Sequence, residues 1–496
     1  MKNVNLNDND NDNDNDDDDD DDNENYYNNE NKNKMKNKKL QTLRLMGCLA
    51  GLVFMMFSCG SDSEVANTFD PSKPIVCESF YPSGGPISTQ VILKGSNFGS
   101  DKNAVRVFFN EKEAPVINVN EDHILVLAPR LPGENVKIKV CVGDKESTFD
   151  GEFDYQIQTN ISTICGGDAS AQTNPGAIEN LSEVQFNSSL NGGICVDKAG
   201  NIYFEIDSHN SSFLRYVANP ESGQLVLIEE LGIFLTTPIV VYDDVNDRVY
   251  HMQTNLSNNE FWYYDPNNNF AQLGKANVTY DDTKYLVDGM GIWGARRAAA
   301  MCPADGKFYS RVLGGDFYSF DPVTATGNRL TLVFNNANGQ AEGSPIDTKD
   351  GETFGMVFDK NNPTILYYTN TSQNCIYQMD VTTCKISILT GRASMTGAGH
   401  LDGTLAQAQF NDPHGMVKDS EGNLYVCDTG NHCIRKINLS TGYVSTVAGL
   451  PQQAGYVNGT SEVAKFNRPV GICIDKDDII YIGDCDNHAI RRLAIE

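Results

Sequence analysis

Charged and aromatic side chains cluster at one repeated position in the second half of the chain. A glycine followed four residues later by an aspartate recurs, for example at Gly415 and Gly471. The residues one to three positions ahead of this glycine, or of its equivalent, combine both signs of charge with aromatic rings: Arg296, Arg297, Glu352, Phe354, Asp412, His414 and Arg468. Such groups suit a polar ligand, because charged side chains hydrogen-bond to hydroxyls while a ring stacks on an apolar face. The competing interpretation is a solvated rim whose charges pair with one another.

Short motifs of common catalytic machinery are missing from the sequence. There is no Gly-x-Ser-x-Gly, His-Glu-x-x-His, Cys-x-x-Cys or phosphate-binding loop. Glu352, Asp412 and His414 could ligate a divalent metal, but arginines at the same level would repel a cation. We therefore expect a binding protein rather than an enzyme, with no metal and no cofactor.

The two tryptophans are further candidates for ligand contact. An exposed indole is a strong stacking platform for a sugar ring, so Trp262 and Trp293 are possible stacking residues. Spacing favours core packing instead. Trp262 aligns with the apolar position of Ile437, and Trp293 falls near the position of Phe410 in the repeat.

The recurring glycines belong to a unit of four short strands. Phe-x-x-Pro-x-Gly, an apolar triplet, Asp, a turn and a Tyr-containing strand appear at 410–425 and 466–481, and more weakly at 355–367 and 193–203. Two degenerate units fill the gap between the weak copies. Six anchor positions result: Asp197, Asp244, Pro303, Asp359, Asp419 and Asp475. Units of this size cannot bury their own faces and therefore need neighbours.

One strand of the last unit is displaced to the other end of the repeat region. Only 15 residues follow Tyr481, so the final unit lacks its fourth strand. A sequence suited to the missing strand is found at Ile161–Gly166, which resembles the fourth strand of the preceding unit, Val444–Gly449. This displacement predicts a six-bladed β-propeller over 161–496, in which Thr163 and Ile164 lie alongside 491–495. An open solenoid, the competing architecture, gives no reason to move one strand.

The N-terminus has the features of an exported lipoprotein. Residues 1–34 hold thirteen Asp and Glu against three Lys and are expected to be disordered, with Met35 as the expected translation start. Residues 35–58 form a signal peptide with a basic start and a short apolar run, ending at Ser58-Cys59. This end resembles the lipobox of bacterial lipoproteins, which implies that Cys59 is acylated and that residues 59–69 are a tether. The competing interpretation is an ordinary secreted protein.

Charge and cysteine content narrow the function further. The net charge is −28, and the part after Cys59 remains acidic, which argues against nucleic acid as a partner. Eleven cysteines follow Cys59 without metal-ligand spacing and are expected to fill the core as free thiols. His432 and His488 recur in equivalent turns, where we expect them to hydrogen-bond their own backbone.

Residues 70–156 form a separate unit. Alternating apolar runs with Gly and Pro turns predict a small antiparallel sandwich. Phe80-x-Pro82, Gly95-Ser96-Asn97-Phe98-Gly99 and Ala128-Pro129 resemble the IPT/TIG immunoglobulin-like domain. Such domains carry no chemistry of their own, so this resemblance implies a spacer.

The propeller units resemble the NHL repeat, whose name-giving turn is shifted here to Asn431-His432-Cys433 and Asn487-His488-Ala489. An IPT/TIG domain ahead of NHL repeats on a lipoprotein resembles surface proteins of Bacteroidetes glycan-import systems. The resemblance implies a lipid-anchored outer-membrane protein facing the cell exterior. It would bind a polysaccharide or oligosaccharide beside an importer and its surface lipoprotein partner. A protein-binding or adhesion module, and a metal-dependent propeller lactonase or lyase, remain the alternatives.

Overall fold

The computed structural model describes residues 69–130, 135–167, 174–176, 178–190, 192–208, 212–231, 239–252, 260–277, 279–280, 298–311, 317–330, 333–334, 353–391 and 398–496. These residues form β-strands and two single 3₁₀ turns, at Thr429–Asn431 and Cys485–Asn487. The predicted all-β class is therefore confirmed. None of the helical turns in the described part of the chain is long and apolar enough to cross a bilayer.

An antiparallel sandwich of two four-stranded sheets follows Phe69. The first sheet contains, in spatial order, Val76–Tyr81, Gln90–Ser96, His123–Leu127 and Val116–Val119. The second contains Lys112–Ala114, Val105–Phe109, Ile138–Val142 and Lys145–Thr148. A short parallel pair, Gly84–Gly85 with Asp154–Tyr155, adds to one end. Alternate residues of the main strands are buried, as expected when two sheets pack face to face.

The Gly-x-Asn-Phe-Gly block of the sandwich has a structural role. Asn97 has φ 65°, and its amide accepts from the backbone N–H of Asp70 and donates to the Asp70 carbonyl. A Cβ at Gly95 would lie 2.0 Å from the Val76 carbonyl oxygen, so only glycine fits beside the neighbouring strand. The block fixes the start of the sandwich and presents no free reactive group.

Six sheets, the blades, follow the sandwich in the described residues; they are antiparallel except for the outermost strands of blades 3 and 4, which pair in parallel. From the axis outward, blade 1 contains Ile194–Val196, Ile202–Ser208, Ser212–Asn219, Gln224–Leu231 and Ile178–Asn180, and blade 2 contains Ile239–Asp243, Arg248–Met252, Glu260–Asp265 and Ala271–Asn277. Blade 3 contains Ala298–Met301, Phe308–Arg311, Phe317–Asp321, Thr326–Arg329 and Thr279–Tyr280. Blade 4 contains Met356–Phe358, Ile365–Asn370, Cys375–Asp380, Lys385–Thr390 and Val333–Phe334. Blade 5 contains Pro413–Lys418, Leu424–Asp428, Cys433–Asn438, Tyr443–Ala448 and Gly403–Thr404.

Blade 6 is completed by a strand from the start of the propeller segment. From the axis outward it contains Pro469–Ile474, Ile480–Asp484, Ala489–Ile495, Thr159–Gly166 and Gly459–Thr460. The register places Thr163 opposite Arg491, as the displaced repeat predicted. Each innermost strand contacts those of the two adjacent blades, and the strand of blade 6 contacts that of blade 1.

The repeated aspartate and tyrosine stabilise the turn between the first two strands of a blade. Asp419 accepts hydrogen bonds from the backbone N–H of Asn423 at 2.7 Å and from the Tyr425 hydroxyl at 3.2 Å. The buried tyrosine thus satisfies its polar end while its ring packs between blades. Equivalent Tyr-to-Asp bonds occur in other blades: Tyr203 to Asp197, Tyr367 to Asp359 and Tyr481 to Asp475.

The anchors predicted for blades 2 and 3 were wrong by one and two positions. In blade 2 the capping residue is Asp243 rather than Asp244, because Asp243 accepts the N–H groups of Val245 and Asn246. In blade 3 Tyr309 donates to Asp305, two residues after the predicted Pro303. In both blades an aspartate still accepts hydrogen bonds at the turn, but the number of residues between this aspartate and the tyrosine differs from that of the other blades.

Aromatic plugs and buried arginines join neighbouring blades. Phe466 is fully buried between Tyr425 of blade 5 and Ile482 of blade 6. The Arg491 guanidinium lies 5.1 Å from the centre of the Phe466 ring and donates to Asp484 at 2.6 Å. Arg435 repeats this arrangement one blade earlier, on Phe410 and Asp428. The eleven cysteines after Cys59 are free thiols, most of them buried, in agreement with a packing role.

Candidate functional site

The axis of the propeller is narrow and apolar. Its cavity has a volume of about 90 Å³ and is lined by the six innermost strands, through residues such as Ile194, Val240 and Met416. Glycines allow this tight approach, since a Cβ at Gly415 would lie 2.5 Å from the Val470 carbonyl oxygen. Pockets for small ligands usually measure about 300–1,000 Å³. A ligand larger than a few waters must therefore bind at a face of the ring, and not inside it.

An aromatic pair lies at the start of the innermost strands of blades 4 and 5. The rings of Phe354 and His414 stack in parallel, with centroids 4.1 Å apart and planes at 5°. His414 is 7% exposed, whereas Phe354 is half-buried. The imidazole therefore supports the phenyl ring from beneath. Such a pair contributes about 0.5–1.5 kcal/mol beyond its buried area.

A carboxylate completes this pair. His414 Nε2 donates to Asp412 Oδ1 at 3.1 Å, while His414 Nδ1 is buried and has no hydrogen-bond partner among the described residues. Burial alone would raise the pKa of Asp412. The hydrogen bond from His414 and the positive charges of His414 and Arg468 outweigh burial and place the pKa below its ordinary value. Asp412 is thus ionised at neutral pH, and its side chain is 42% exposed.

We call the end of the channel at the start of the innermost strands the mouth. In blades 4 and 5 the turn between the second and third strands holds a mouth residue of the next blade. Asn374 of blade 4 accepts the backbone N–H of Asp412 at 2.7 Å. His432 Nδ1 of blade 5 accepts the backbone N–H of Arg468 at 3.0 Å. All four residues have positive φ, between 53° and 57°. The expectation that His432 and His488 bond their own turns was wrong for their side chains, because His488 Nδ1 donates to the Phe186 carbonyl leading into blade 1.

The arginine of blade 6 brings positive charge to the same mouth. Arg468 is 48% exposed, and its guanidinium lies 3.7 Å from Asp486. Its charge acts on the pKa of Asp412, so the two side chains belong to one electrostatic environment. The structure therefore brings together Phe354, Asp412, His414 and Arg468 of the predicted set. Arg296, Arg297, Glu352, Trp293 and Cys59 lie outside the described residues.

Trp262 takes no part in the mouth. Its side chain belongs to a buried residue, 5% exposed, and the Arg215 guanidinium lies 5.0 Å from the ring centre. Lys275 approaches the same ring at 5.8 Å. The possible stacking role of Trp262 is therefore wrong, because the ring offers no open face for a sugar. Core packing, which the spacing favoured, is what the structure shows.

A buried ionic cluster between blades 1 and 2 had no signal in the sequence. Arg215 donates to Glu205 at 2.5 Å and to Glu229 at 2.8 Å, and His251 Nδ1 donates to Glu205 at 2.7 Å. Tyr264 donates to Glu229. Burial would raise the pKa of Glu205, but Arg215 and His251 outweigh it and hold it at about 2. Glu205 and His251 are almost fully inaccessible, which favours a structural role for the cluster.

No group of three or more His, Cys, Asp or Glu side chains is arranged to hold a metal within the described part of the chain. Asp412 and His414, two of the three residues considered for a metal, bind each other instead. Asp428 and Asp484 are likewise occupied, each by an arginine and an asparagine. The mouth thus combines the half-buried Phe354 ring, stacked on His414, with one carboxylate and one guanidinium.

Family models match both parts of the chain. The IPT/TIG domain model matches residues 75–157, and the NHL repeat model matches 410–437 and 466–493. The chain therefore carries an IPT/TIG domain followed by a propeller with NHL repeats in blades 5 and 6. Blades 1 to 4 lie outside the matched segments, although their sheets have the same strand order.

Solved structures of similar architecture come from Bacteroides. A Bacteroides thetaiotaomicron protein of unknown function is 25% identical, with a TM-score of 0.65, over 86% of this chain and 100% of that one. An auxiliary nutrient binding protein from Bacteroides ovatus is 24% identical, with a TM-score of 0.55 and the same coverage. A second protein of that description, from Bacteroides thetaiotaomicron, is 21% identical, with a TM-score of 0.51 over 87% of this chain and 100% of that one.

Curated relatives share only a short segment. NHL repeat-containing protein 2 of Bos taurus is 32% identical over 100 residues, which are 20% of this chain and 14% of that protein. Protein SUPPRESSOR OF QUENCHING 1 of Arabidopsis thaliana is 27% identical over 134 residues, which are 26% of this chain and 13% of that protein. The chain thus spans a small part of these relatives.

Proposed function

We propose that this protein binds a polysaccharide or oligosaccharide at the mouth of its propeller, as a lipid-anchored surface component of an outer-membrane glycan uptake system. The observation that carries the proposal is the stacked Phe354–His414 pair beside the ionised Asp412 and the exposed Arg468. The sandwich would act as a spacer between the membrane and the propeller.

The chemistry of the mouth suits a sugar. A pyranose ring has an apolar C–H face that packs on an aromatic ring, and its hydroxyls both donate and accept hydrogen bonds. Phe354 offers the ring, Asp412 accepts and Arg468 donates. Hydrogen bonds to charged groups contribute about 1.5–3 kcal/mol each, which is enough for specificity in an open site.

The architecture of the related structures supports a role in nutrient capture. Two of them are named auxiliary nutrient binding proteins and come from Bacteroides. Their similarity spans the sandwich and the propeller together. The proposed acylation at Cys59 would hold the binding face near an importer and its surface lipoprotein partner, and dissolved glycan would be captured there.

Affinity electrophoresis against a panel of soluble polysaccharides tests the proposal. The wild-type protein should be retarded by at least one glycan, and Phe354→Ala should abolish most of the retardation. Tyr443→Ala is a matched control, since Tyr443 is 48% exposed on the outer part of blade 5. Asp412→Asn and Arg468→Ala should each weaken binding about tenfold, as expected for loss of one hydrogen bond to a charged group.

Retardation that survives Phe354→Ala, Asp412→Asn and Arg468→Ala would reject the mouth as the binding surface. Failure of the wild-type protein to bind any glycan would reject glycan capture itself. In that event a protein partner becomes the better hypothesis, and pull-down with the same variants would show whether the mouth binds it.

A further inference from the structure

A second, larger cavity lies between the sandwich and the propeller. It has a volume of about 600 Å³, within the range of small-molecule pockets. One wall comes from the sandwich, through Asn135, Glu152 and Tyr155. The other comes from Lys436 of blade 5 and Asp478 of blade 6. We call it the interdomain cleft.

Direct bonds between the two domains keep the cleft walls in place. The Arg130 guanidinium donates to the Ile495 carbonyl at 3.1 Å and to the Asp478 carbonyl at 3.3 Å. A cavity with walls fixed in this way is preorganised, so a ligand would not have to order it on binding.

The cleft lies on the opposite side of the propeller from the mouth. Its floor includes Asp419 and Asp478, which follow the innermost strands of blades 5 and 6, whereas Asp412 and Arg468 precede them. A six-residue strand is about 20 Å long. A ligand in the cleft therefore cannot contact the mouth residues of the same strands.

Some charged side chains of the cleft already have hydrogen-bond partners within the protein. Asp419 is bound by Asn423 and Tyr425, and Asp478 by the backbone N–H and hydroxyl of Ser420. Glu421 is exposed, with only a 3.5 Å contact to Asn423. Lys436 Nζ lies 5.7 Å above the Tyr425 ring and forms no ion pair with any described carboxylate.

The remaining groups select the class of ligand. Glu421 and Asp154 are exposed acceptors, and Lys436 and Asn135 are donors. Glu152 is exposed too, but it already pairs with Lys137 at 3.5 Å. Five carboxylates line the cleft against Arg130 and Lys436, which disfavours an anionic ligand. Asp419, Asp478 and Glu152 already have donor partners, which weakens the attraction for a cationic ligand. Ile157, 64% exposed, and the half-buried Tyr155 add an apolar surface. Mixed donors and acceptors beside an apolar surface fit a neutral polyhydroxylated molecule.

We propose that the interdomain cleft is a second binding site, for a neutral saccharide, separate from the mouth. Two sites on one anchored chain would engage a long glycan at two points or retain its fragments, and avidity would rise without any new contact at the mouth. This inference does not require the mouth to bind the same sugar.

Isothermal titration with neutral hexasaccharides of glucose, mannose and xylose tests the cleft in the Phe354→Ala background, where mouth binding is removed. At least one hexasaccharide should still bind. The further change Glu421→Gln with Lys436→Met should weaken that binding at least tenfold, as expected for loss of two hydrogen bonds. Lys139→Met with Glu146→Gln is the matched control, because these residues form an exposed 3.4 Å pair on the sandwich.

Thermal melting of every variant shows whether it is folded, and hydroxyl-radical footprinting of Tyr155 with wild-type protein gives a readout that needs no substitution. Protection of Tyr155 by the hexasaccharide supports the site. No binding in the Phe354→Ala background together with an unprotected Tyr155 would overturn it, as would tighter binding of polygalacturonate or chitosan fragments. Loss of mouth binding alone would reject the proposed function but leave the cleft intact.

Discussion

The His432–Arg468 hydrogen bond should make one edge of the mouth sensitive to pH. His432 Nδ1 accepts the backbone N–H of Arg468 at 3.0 Å, so the bond requires an imidazole without a proton on Nδ1. Burial lowers the pKa of His432 below its ordinary value; Asp486 opposes this shift and Arg468 adds to it. The folded state therefore favours the neutral ring. The stabilisation is fully present above the unfolded pKa of about 6.5 and is lost as the pH falls through the lower folded pKa.

The size of the effect follows from one hydrogen bond at a partly exposed site. A net contribution of about 1 kcal/mol corresponds to about a fivefold change in the opening equilibrium of the Arg468 amide. Blade 4 uses Asn374 at the equivalent position, where the side-chain oxygen accepts the Asp412 amide. His432→Asn should therefore keep the bond, tolerate the positive φ and remove the pH dependence.

Hydrogen exchange of a peptide covering 466–470, measured by mass spectrometry from pH 8 to 4.5, follows this bond. After correction for intrinsic exchange, protection in the wild-type protein should fall about fivefold on acidification and stay constant in His432→Asn. His432→Ala should exchange fast at every pH. His488 is the internal control, because its Nδ1 donates to a carbonyl and protonation leaves that bond intact.

The reasoning would be refuted if the pH dependence of this peptide were the same in wild type and His432→Asn. Equal loss of protection at the peptide beside His488 would also contradict it, since that would indicate general loosening of the ring at low pH.

Three further predictions concern packing and location. Glu205→Gln should lower the free energy of unfolding by about 3 kcal/mol, because buried Arg215 is left with only the partly exposed Glu229 as a carboxylate partner. Urea denaturation against exposed Glu146→Gln measures this, and a loss below about 1 kcal/mol would contradict it. Trp262→Phe should leave glycan affinity unchanged in titration calorimetry, since the ring is buried, and a tenfold loss would place it in the site. Cys59→Ser should move the protein from the membrane to the soluble fraction on immunoblots, and retention in the membrane would count against acylation.

The repeat could be predicted because the same local contacts recur from blade to blade and require the same residue types. Glycine recurs where innermost strands approach, and Asp with Tyr recurs where a turn must be satisfied. The displaced strand was visible for the same reason, since Ile161–Gly166 meets the same neighbours as Val444–Gly449. The exact turn residues of blades 2 and 3 were not predicted, because Asp243 and Asp305 accept the turn hydrogen bonds at a different distance along the chain from the tyrosine.

Contacts between distant segments could not be predicted. Glu205 and His251 are 46 residues apart in different blades, and nothing in either strand marks the partner. The interdomain cleft depends on Arg130 bonding to Asp478 across 348 residues. The stacking of Phe354 on His414 could not be predicted either, because the two residues belong to adjacent blades and meet only in the folded ring.

Hydroxyl-radical footprinting of the wild-type protein with and without its glycan shows whether the glycan covers the mouth. Oxidation of Phe354 should fall when the glycan binds, while that of the distant exposed Tyr443 should stay the same. Binding that is proven by titration but leaves Phe354 as reactive as before would show that the mouth is not where the glycan lies.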